Sequence, residues 1–413
     1  VNDDVLICRV EAGAGPEGWV VVDSTIAGRS TGGLRMLPDV TEADLRLLAR
    51  AMTLKFGLLG LPQGGAKAGV RFDPEAPEPD RLACLRRFAL AIRPLLRNRS
   101  YLPHEDTGTD NRTIRQVLLE VGAPVRHREL RGHRSGYWTA CGVFAAAREA
   151  CRTLGWELRD RKVAIEGFGK VGGALADLFA RAGARVIAIS TSRGALYSER
   201  GLDIRRLAEL ARQAGSAVVD RYPDAERLPP ERLLEVDADL LAPCARHYSI
   251  HAGNAMRVRA RLIVPGANAP LTPEAESLLE ARGVLCVPDF LANAGGALGG
   301  TMEFAGMPEV RIRSMLEETL ERLTRTVLRE AATQGLTPRQ VAEAAALARH
   351  AEIRRHAERP GPGSRLLEAA LELYRRGLIP AMLVGRLAPI YFVRLARRQL
   401  LAPTGDSTSE NKY

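Results

Sequence analysis

Lys162-Val-Ala-Ile-Glu166, running into Gly167-Phe168-Gly169-Lys170-Val171-Gly172, is the stretch that decides the fold. A short apolar strand meets three glycines spaced as GxGxxG, and Val171 to Ala182 continues with a helical pattern. The first glycine of such a turn makes the tight bend. The second admits a pyrophosphate, and the third lets helix and strand pack closely. Free N–H groups and the dipole at the helix start then favour an anion. Downstream, Arg185–Ser190 is the next predicted strand, and short apolar strands at 238–241, 262–264 and 284–287 alternate with helical segments. That alternation predicts an α/β domain with a parallel sheet over residues 136–358, of the Rossmann dinucleotide-binding type.

The end of the second strand reads Ile189-Ser190-Thr191-Ser192-Arg193 and holds no carboxylate for the ribose 2′-hydroxyl of NAD. In one reading Thr191 bonds that hydroxyl. In the other, which the residues favour, Ser192 and Arg193 take the 2′-phosphate of NADP.

Residues 1–135 have a different texture, with a strand expected at 19–23 and a glycine-rich turn from Gly28 to Arg35. Thr41-x-x-Asp44 is a helix N-cap signature. The apolar stripe of that helix runs Leu45, Leu48, Met52, and Lys55 falls at its next step. A further helix is expected from Asp80 to Leu96, a strand end running into a loop at 101–109, and an inter-domain hinge at 126–138. Lysine is rare here: five lysines stand against 54 arginines. Two of the five, Lys55 and Lys67, lie in one apolar, glycine-rich stretch. A lysine kept where arginine is the rule suggests a compact ammonium whose pKa can shift. Lysines on buried helix faces usually snorkel to water, but the neighbouring glycines allow backbone and ligand to come close.

The composition is that of a globular protein: 413 residues, 46% hydrophobic, 26% charged, with a net charge of +10. The arginines are scattered and form no block with interleaved aromatics, so anionic small ligands are expected and nucleic acid is not. Six cysteines without a CxxC imply reduced thiols and a cytoplasmic protein, and no signal peptide is read. Pro380, Arg386 and Pro389 interrupt the longest apolar run, 377–393, so no membrane association is expected. His247-x-x-x-His251 lacks the glutamate of HExxH and is read as structural, with no metal. Residues 359–413 open on Arg359-Pro-Gly-Pro-Gly363. A basic amphipathic helical piece (364–401) and a polar tail follow, a C-terminal extension of unassigned role. Packing within the protein or its oligomer is expected of it rather than a membrane surface. No internal repeat is found.

Leu61-x-x-Gly-Gly65-Ala-Lys67-x-Gly69-x-x-x-Asp73-Pro74 carries a resemblance that covers roughly residues 19–355. Together with Gly32-Gly33-Leu-Arg-Met36, Glu105-Asp106-x-Gly-Thr109, Thr139-Ala-x-Gly142, Gly266-Ala-Asn268 and Asn293-Ala-Gly-Gly296, it resembles the amino-acid dehydrogenases acting on glutamate, leucine, phenylalanine or valine. The resemblance implies two domains, an N-terminal α/β substrate and dimerisation domain and a Rossmann domain. It also implies a homo-oligomer and reversible NAD(P)-dependent deamination of an amino acid to a 2-oxo acid and ammonia. It makes Lys55 the ligand of the α-carboxylate, Lys67 the catalytic lysine and Asp106 the acid/base at the amino nitrogen. Gly33 and Gly65 fall among the substrate-binding positions, and Thr139, Asn268 and Asn293 at the cofactor's ribose and carboxamide. The chemistry needs such a set, because a poorly solvated lysine near a second cation exchanges protons near neutral pH.

The departures are informative. Glutamate-specific members place a lysine immediately before Gly-Gly-Leu-Arg, where this chain has Thr31. They place a serine seven residues after the asparagine, where this chain has Gly300. Both handles for a second carboxylate are missing, and an unpaired carboxylate in a dry pocket is costly. An uncharged side chain is therefore expected of the substrate, with a glutamate enzyme of atypical pocket as the alternative. Pro265 and Ala269 also depart, replacing a glutamate and a glycine. Two other classes are weighed, and neither accounts for the lysine pair with Asp106. A 2-hydroxy-acid dehydrogenase would use His104 with Glu105, and a non-enzymatic NAD(P) sensor would need neither Lys67 nor Asp106.

Overall fold

The computed structural model describes residues 6–11, 13, 16–130 and 134–398. Residues 131–133 of the expected hinge, and the end of the C-terminal helical piece with its polar tail from 399, lie outside them. The first half contains β1 (Leu6–Val10), β2 (Gly18–Val22), β3 (Ser30–Met36), α1 (Glu42–Leu59), β4 (Gly64–Val70), α2 (Glu78–Ala91), α3 (Arg93–Arg97), β5 (Leu102–Glu105) and α4 (Asn111–Glu120). Its sheet runs β1-β2-β4-β3-β5. The β2–β4 pair is antiparallel, and β3 pairs in parallel with both β4 and β5.

Side chains alternate across this sheet, as the period of a strand requires. Val20, Leu34, Met36, Ala66 and Ala68 face Phe88 of α2 and Ile114 of α4, whereas Trp19 and Val21 meet Leu45 and Ala49 of α1. By the same alternation Thr31, Gly33 and Arg35 share the α1 face. The capping box on Thr41 and Asp44 starts α1, and Gly60, in a left-handed conformation at φ 70, ends it. Two expectations need correcting. The expected Gly28–Arg35 turn is limited to Ala27 and Gly28, and the following glycines lie inside β3. The expected 80–96 helix breaks at Ile92, where Pro94 lacks the N–H needed to continue the ladder.

The second half begins with the buried helix α5 (Ser135–Thr153), followed by β6 (Lys162–Glu166), α6 (Lys170–Arg181), β7 (Arg185–Thr191), β8 (Gly194–Tyr197), α7 (Ile204–Ala214), α8 (Val218–Arg221) and β9 (Glu226–Leu228). It continues with β10 (Leu240–Pro243), α9 (Ala252–Ala255), β11 (Leu262–Ile263), α10 (Pro273–Ala281), β12 (Leu285–Cys286), α11 (Asp289–Ala292) and α12 (Gly295–Phe304). The sheet order is β12-β11-β10-β6-β7-β8-β9. Strands β12 to β7 are parallel, as expected, but β8 and β9 add an antiparallel edge. Ser192 and Arg193, read above as the end of a strand, are the two turn residues of the β7–β8 hairpin.

Two long helices follow, α13 (Glu309–Gln334) and α14 (Pro338–Glu358), then α15 (Pro362–Arg375) and α16 (Ala381–Arg398). No helix among the described residues is long and apolar enough to cross a membrane. The helix α14 returns to the first half and crosses α1 at very short range. His350 on it reaches Ser24, 3.3 Å away, whose hydroxyl lies 2.7 Å from that of Thr53 and accepts from Gly65 N at 2.9 Å. A Cβ on Gly57 would fall on the Ala346 carbonyl oxygen. Gly57→Ala should therefore lower stability by about 1–3 kcal/mol despite alanine's better helix propensity. Calorimetry checks this, and an unchanged Tm would mean that the two helices separate freely.

Candidate active site

Lys67 lies in the middle of β4, opposite Val21, and is 4% exposed. Its Nζ is 2.5 Å from Asp106 Oδ2, and Arg35 Nε donates to the same oxygen at 3.3 Å. Asp106 follows β5 in a tight turn that Thr109 closes. Its backbone N–H donates to Thr109 Oγ1 at 3.1 Å, and its own Oδ1 accepts from Thr107 N at 2.8 Å. Gly33 leaves the space above this pair open, because a Cβ there would stand 2.7 Å from the Asp106 Cβ and 3.0 Å from Lys67 Nζ.

Burial pushes the Asp106 carboxyl up, but the Lys67 and Arg35 cations and two hydrogen bonds outweigh it and hold the group well below the usual carboxylate range. Burial lowers the Lys67 ammonium against the pull of Asp106, and Arg35 lowers it further. Lys55, on α1 and 6% exposed, is brought down to about 8, chiefly by burial, with Asp289 opposing and Lys67 assisting. It does not snorkel; its Nζ donates to Asn268 Oδ1 at 3.2 Å.

Asn268 belongs to the second half, so this bond spans the two. Asn293 Nδ2 donates to the same Asn268 oxygen at 2.9 Å and to the carbonyl of Ala267. The loop is held by buried Asp289, which accepts from Ala269 N and from Arg339, each through its own oxygen. Ala269 sits at φ 47, a left-handed conformation that glycine adopts more easily. A second bridge, His247 Nε2 to Asp44 Oδ1 at 3.1 Å, joins the halves at the start of α1, while His251 caps α9. At the hinge, Ser135 donates to Glu105 at 2.7 Å.

The GxGxxG turn has the build expected of it. Gly167 has φ 89, and a Cβ on Gly172 would fall on the Gly167 carbonyl oxygen. Gly167 N and Phe168 N both bond to Ser190, whereas a Cβ on Gly169 would meet no described atom within 4 Å. Gly169 is the N-cap of α6 and offers no side-chain cap, so the first-turn N–H groups at Lys170 and Val171 stay available to a phosphate. In the cleft, buried Asn293 Oδ1 has no partner among the described residues. Thr139 gives its hydroxyl proton to Ser135 O and keeps its lone pairs. These features fit a nicotinamide dinucleotide.

The structure thus brings Lys55, Lys67, Asp106, Gly33, Asn268 and Asn293 together. Other expected positions stand apart. Gly65 gives its N–H to Ser24 and its carbonyl to Asp23 and Ser24. Thr31 donates to Leu102 O at 2.9 Å, and a Cβ on Gly300 would meet no described atom within 4 Å. Thr191 donates to Ser216 O, and Arg193 pairs with Asp220 at 2.8 Å on the surface. The sequence reading assigned no role to Arg35 or Asp289. Strand alternation from Gly33 points to Arg35 once 30–36 is a strand and not a turn. Nothing near Asp289 in the sequence points to its partners.

Comparison with known proteins agrees with this geometry. A family model described as Glutamate/Leucine/Phenylalanine/Valine dehydrogenase matches residues 133–357, and the dimerisation-domain model of the same group matches 5–122. The glutamate dehydrogenase of Thermotoga maritima is 38% identical over 294 residues, 68% of this chain and 70% of that protein. The NAD-specific glutamate dehydrogenase of Staphylococcus aureus strain COL is 31% identical over 359 residues, 82% of this chain and 86% of that one. The hetero-hexameric glutamate dehydrogenase of Thermus thermophilus, solved in a Leu-bound form, superposes with a TM-score of 0.74 at 28% identity, covering 85% of this chain and 89% of its own. This chain belongs to the Glu/Leu/Phe/Val dehydrogenase family, NAD- or NADP-dependent oxidoreductases that act on the CH–NH2 group of amino acids.

Proposed function

We propose that the chain interconverts an L-amino acid of uncharged side chain with its 2-oxo acid and ammonia, using NADP in preference to NAD. The buried Lys67–Asp106 contact, with Lys55 beside it facing Asn268, carries the reading. Residues 1–135 are proposed as the substrate and assembly half of a homo-oligomer, and 136–358 as the cofactor half. Six unpaired cysteines accord with a reducing compartment such as the cytoplasm.

Lys55 binds the α-carboxylate, whose charge offsets the excess of buried cations. Asp106, ionised at neutral pH, takes a proton on Oδ2 from the substrate's ammonium and frees the nitrogen lone pair. When bound, the cofactor supplies the acceptor for the hydride leaving Cα. Lys67 in its neutral form then takes a proton from the water that attacks the imine carbon, and as an ammonium it stabilises the oxygen growing there. Asp106 returns its proton to the nitrogen. The C–N bond breaks as the adduct's hydroxyl proton leaves with the nitrogen as ammonium and the carbonyl forms, and Lys67 releases its proton to solvent. Asn293 Oδ1 is the proposed acceptor for the carboxamide N–H, with Asn268 and Thr139 towards the ribose.

The side-chain proposal rests on the two positions where the resemblance expects handles for a second carboxylate. Thr31 has given its hydroxyl proton to Leu102 O and Gly300 has no side chain, so neither provides a charge for a second carboxylate. The NADP preference rests on the missing carboxylate after β7 and on the cationic Arg193, which a 2′-phosphate would draw from Asp220.

Leucine, phenylalanine or valine should exceed glutamate in kcat/KM by about tenfold or more, measured by absorbance of the reduced cofactor. Glutamate as the best substrate by the same margin would overturn the side-chain proposal. In Lys67→Ala and Asp106→Asn, kcat should fall roughly a thousandfold, with cofactor affinity unchanged by fluorescence titration. A linkage effect follows from Lys55. Between about 8 and its ordinary value of 10.5 the unfolded chain keeps a proton that the folded chain has released, so stability rises with pH across that window. At neutral pH the buried charge costs about 3 kcal/mol. Lys55→Met should therefore be inactive yet more stable than the parent at pH 7, with the gap closing towards about pH 10. Calorimetry at the two pH values measures it.

A further inference from the structure

Residues 359–398 lie beyond both matched family regions, yet they are tied to both halves of the molecule. The tie centres on Tyr374, which is 2% exposed. On one side the Arg128 guanidinium lies 4.6 Å over its ring and donates to the carbonyls of Tyr374 and Ile379, both at 3.0 Å. On the other side the Tyr374 hydroxyl donates to Phe304 O at 2.5 Å, and the two rings meet edge-on at 5.3 Å. Arg128 belongs to the last loop of the substrate half, just before the chain passes to the second half. Phe304 ends α12, the helix that opens two residues after Asn293. The neighbouring Glu303 accepts from Arg134 N at the hinge itself.

Further contacts on both helices extend the tie. Arg126 pairs with Glu372 of α15 at 2.7 Å. The helix α16 packs at Gly385 against the Gly306 carbonyl, buries Ala388 and Phe392 in the main core and sets Leu395 against Gly60, the C-cap of α1. The extension therefore runs along the back of the joint, from the end of α12 to the end of the helix that carries Lys55.

We propose that Tyr374 is a positioning residue and that α15 and α16 form a brace across the joint, setting the angle at which Lys55 and Lys67 of one half meet Asn268 and Asn293 of the other. The reason is geometric. Substrate groups and cofactor groups sit on different halves, so a small rotation of one half against the other displaces one set against the other. A misplacement of about 1 Å at the reacting atoms costs on the order of a hundredfold in rate. A tyrosine wedged between a cation on one body and an aromatic ring on the other resists that rotation. The inference rests on the division of substrate and cofactor roles proposed above.

The test uses the full chain and three variants, Tyr374→Ala, Tyr374→Phe and Arg128→Lys, with three readouts. These are steady-state kinetics with the best amino acid of the panel, cofactor affinity by fluorescence, and the radius of gyration by small-angle scattering without ligand. The expectation for Tyr374→Ala is a rise of about fivefold or more in amino-acid KM and a larger radius of gyration, with cofactor affinity held within about twofold, as for coupling between bodies rather than damage to one. Tyr374→Phe, which keeps the ring and loses the bond to Phe304 O, should fall between it and the parent. Kinetics and radius unchanged in all three, even with a lower Tm, would make the extension mere packing and overturn the proposal. Should Tyr374→Ala fail to fold, the other two decide it by the same criteria. A parent enzyme inactive on every amino acid would overturn the functional reading instead, and scattering would still test the brace.

Discussion

Three cations, Lys55, Lys67 and Arg35, share a dry cleft with one directly bonded carboxylate, Asp106. Burying like charges together is costly, and most of the surrounding architecture makes it tolerable. The strand β3 brings Arg35 to the Asp106 oxygen, β4 brings Lys67, and the loop held by Asp289 and Arg339 presents the Asn268 oxygen to Lys55. The remaining excess of positive charge has a chemical meaning. A site with more cations than carboxylates is preorganised for a substrate that brings a carboxylate of its own.

The same constraint explains why the site spans two bodies. A fully enclosed cation cluster could not exchange substrate, and an open one would lose the low dielectric that shifts the lysines. A cleft closed by Lys55–Asn268 at its centre and His247–Asp44 near the start of α1 meets both needs. Burial between the two halves sets the proton affinities of the lysines.

What could be seen in the sequence was whatever depends on local backbone geometry. The strand–turn–helix at Gly167–Gly172 and the capping box at Thr41–Asp44 are rules over three to six residues, and both stand in the structure. Lys67 and Asp106 were legible because their motifs are dense, and Lys55 because it continued an apolar stripe. Glycine misled the reading at β3: glycines there serve close approach between strand and ligand space, which in sequence looks like a turn. At Ser192–Arg193 a hairpin of two turn residues was hidden in a polar run. Partners far apart in the chain gave no signal: Lys55 with Asn268, Asp289 with Arg339, and Tyr374 with Arg128 are tertiary facts.

The hydrogen-bonded chain from His350 through Ser24 to Gly65 carries a consequence for biosynthesis. Ser24 and His350 are separated by 326 positions, yet their contact backs β4, the strand that presents Lys67. As the chain leaves the ribosome, the first half can pair its strands early, but its α1 face stays uncovered until α14 emerges. During that interval Leu54, Phe56, Leu58 and Leu59 of α1, later buried in the main core, are open to solvent. Completion of this half thus waits for a helix that lies 326 positions further along the chain.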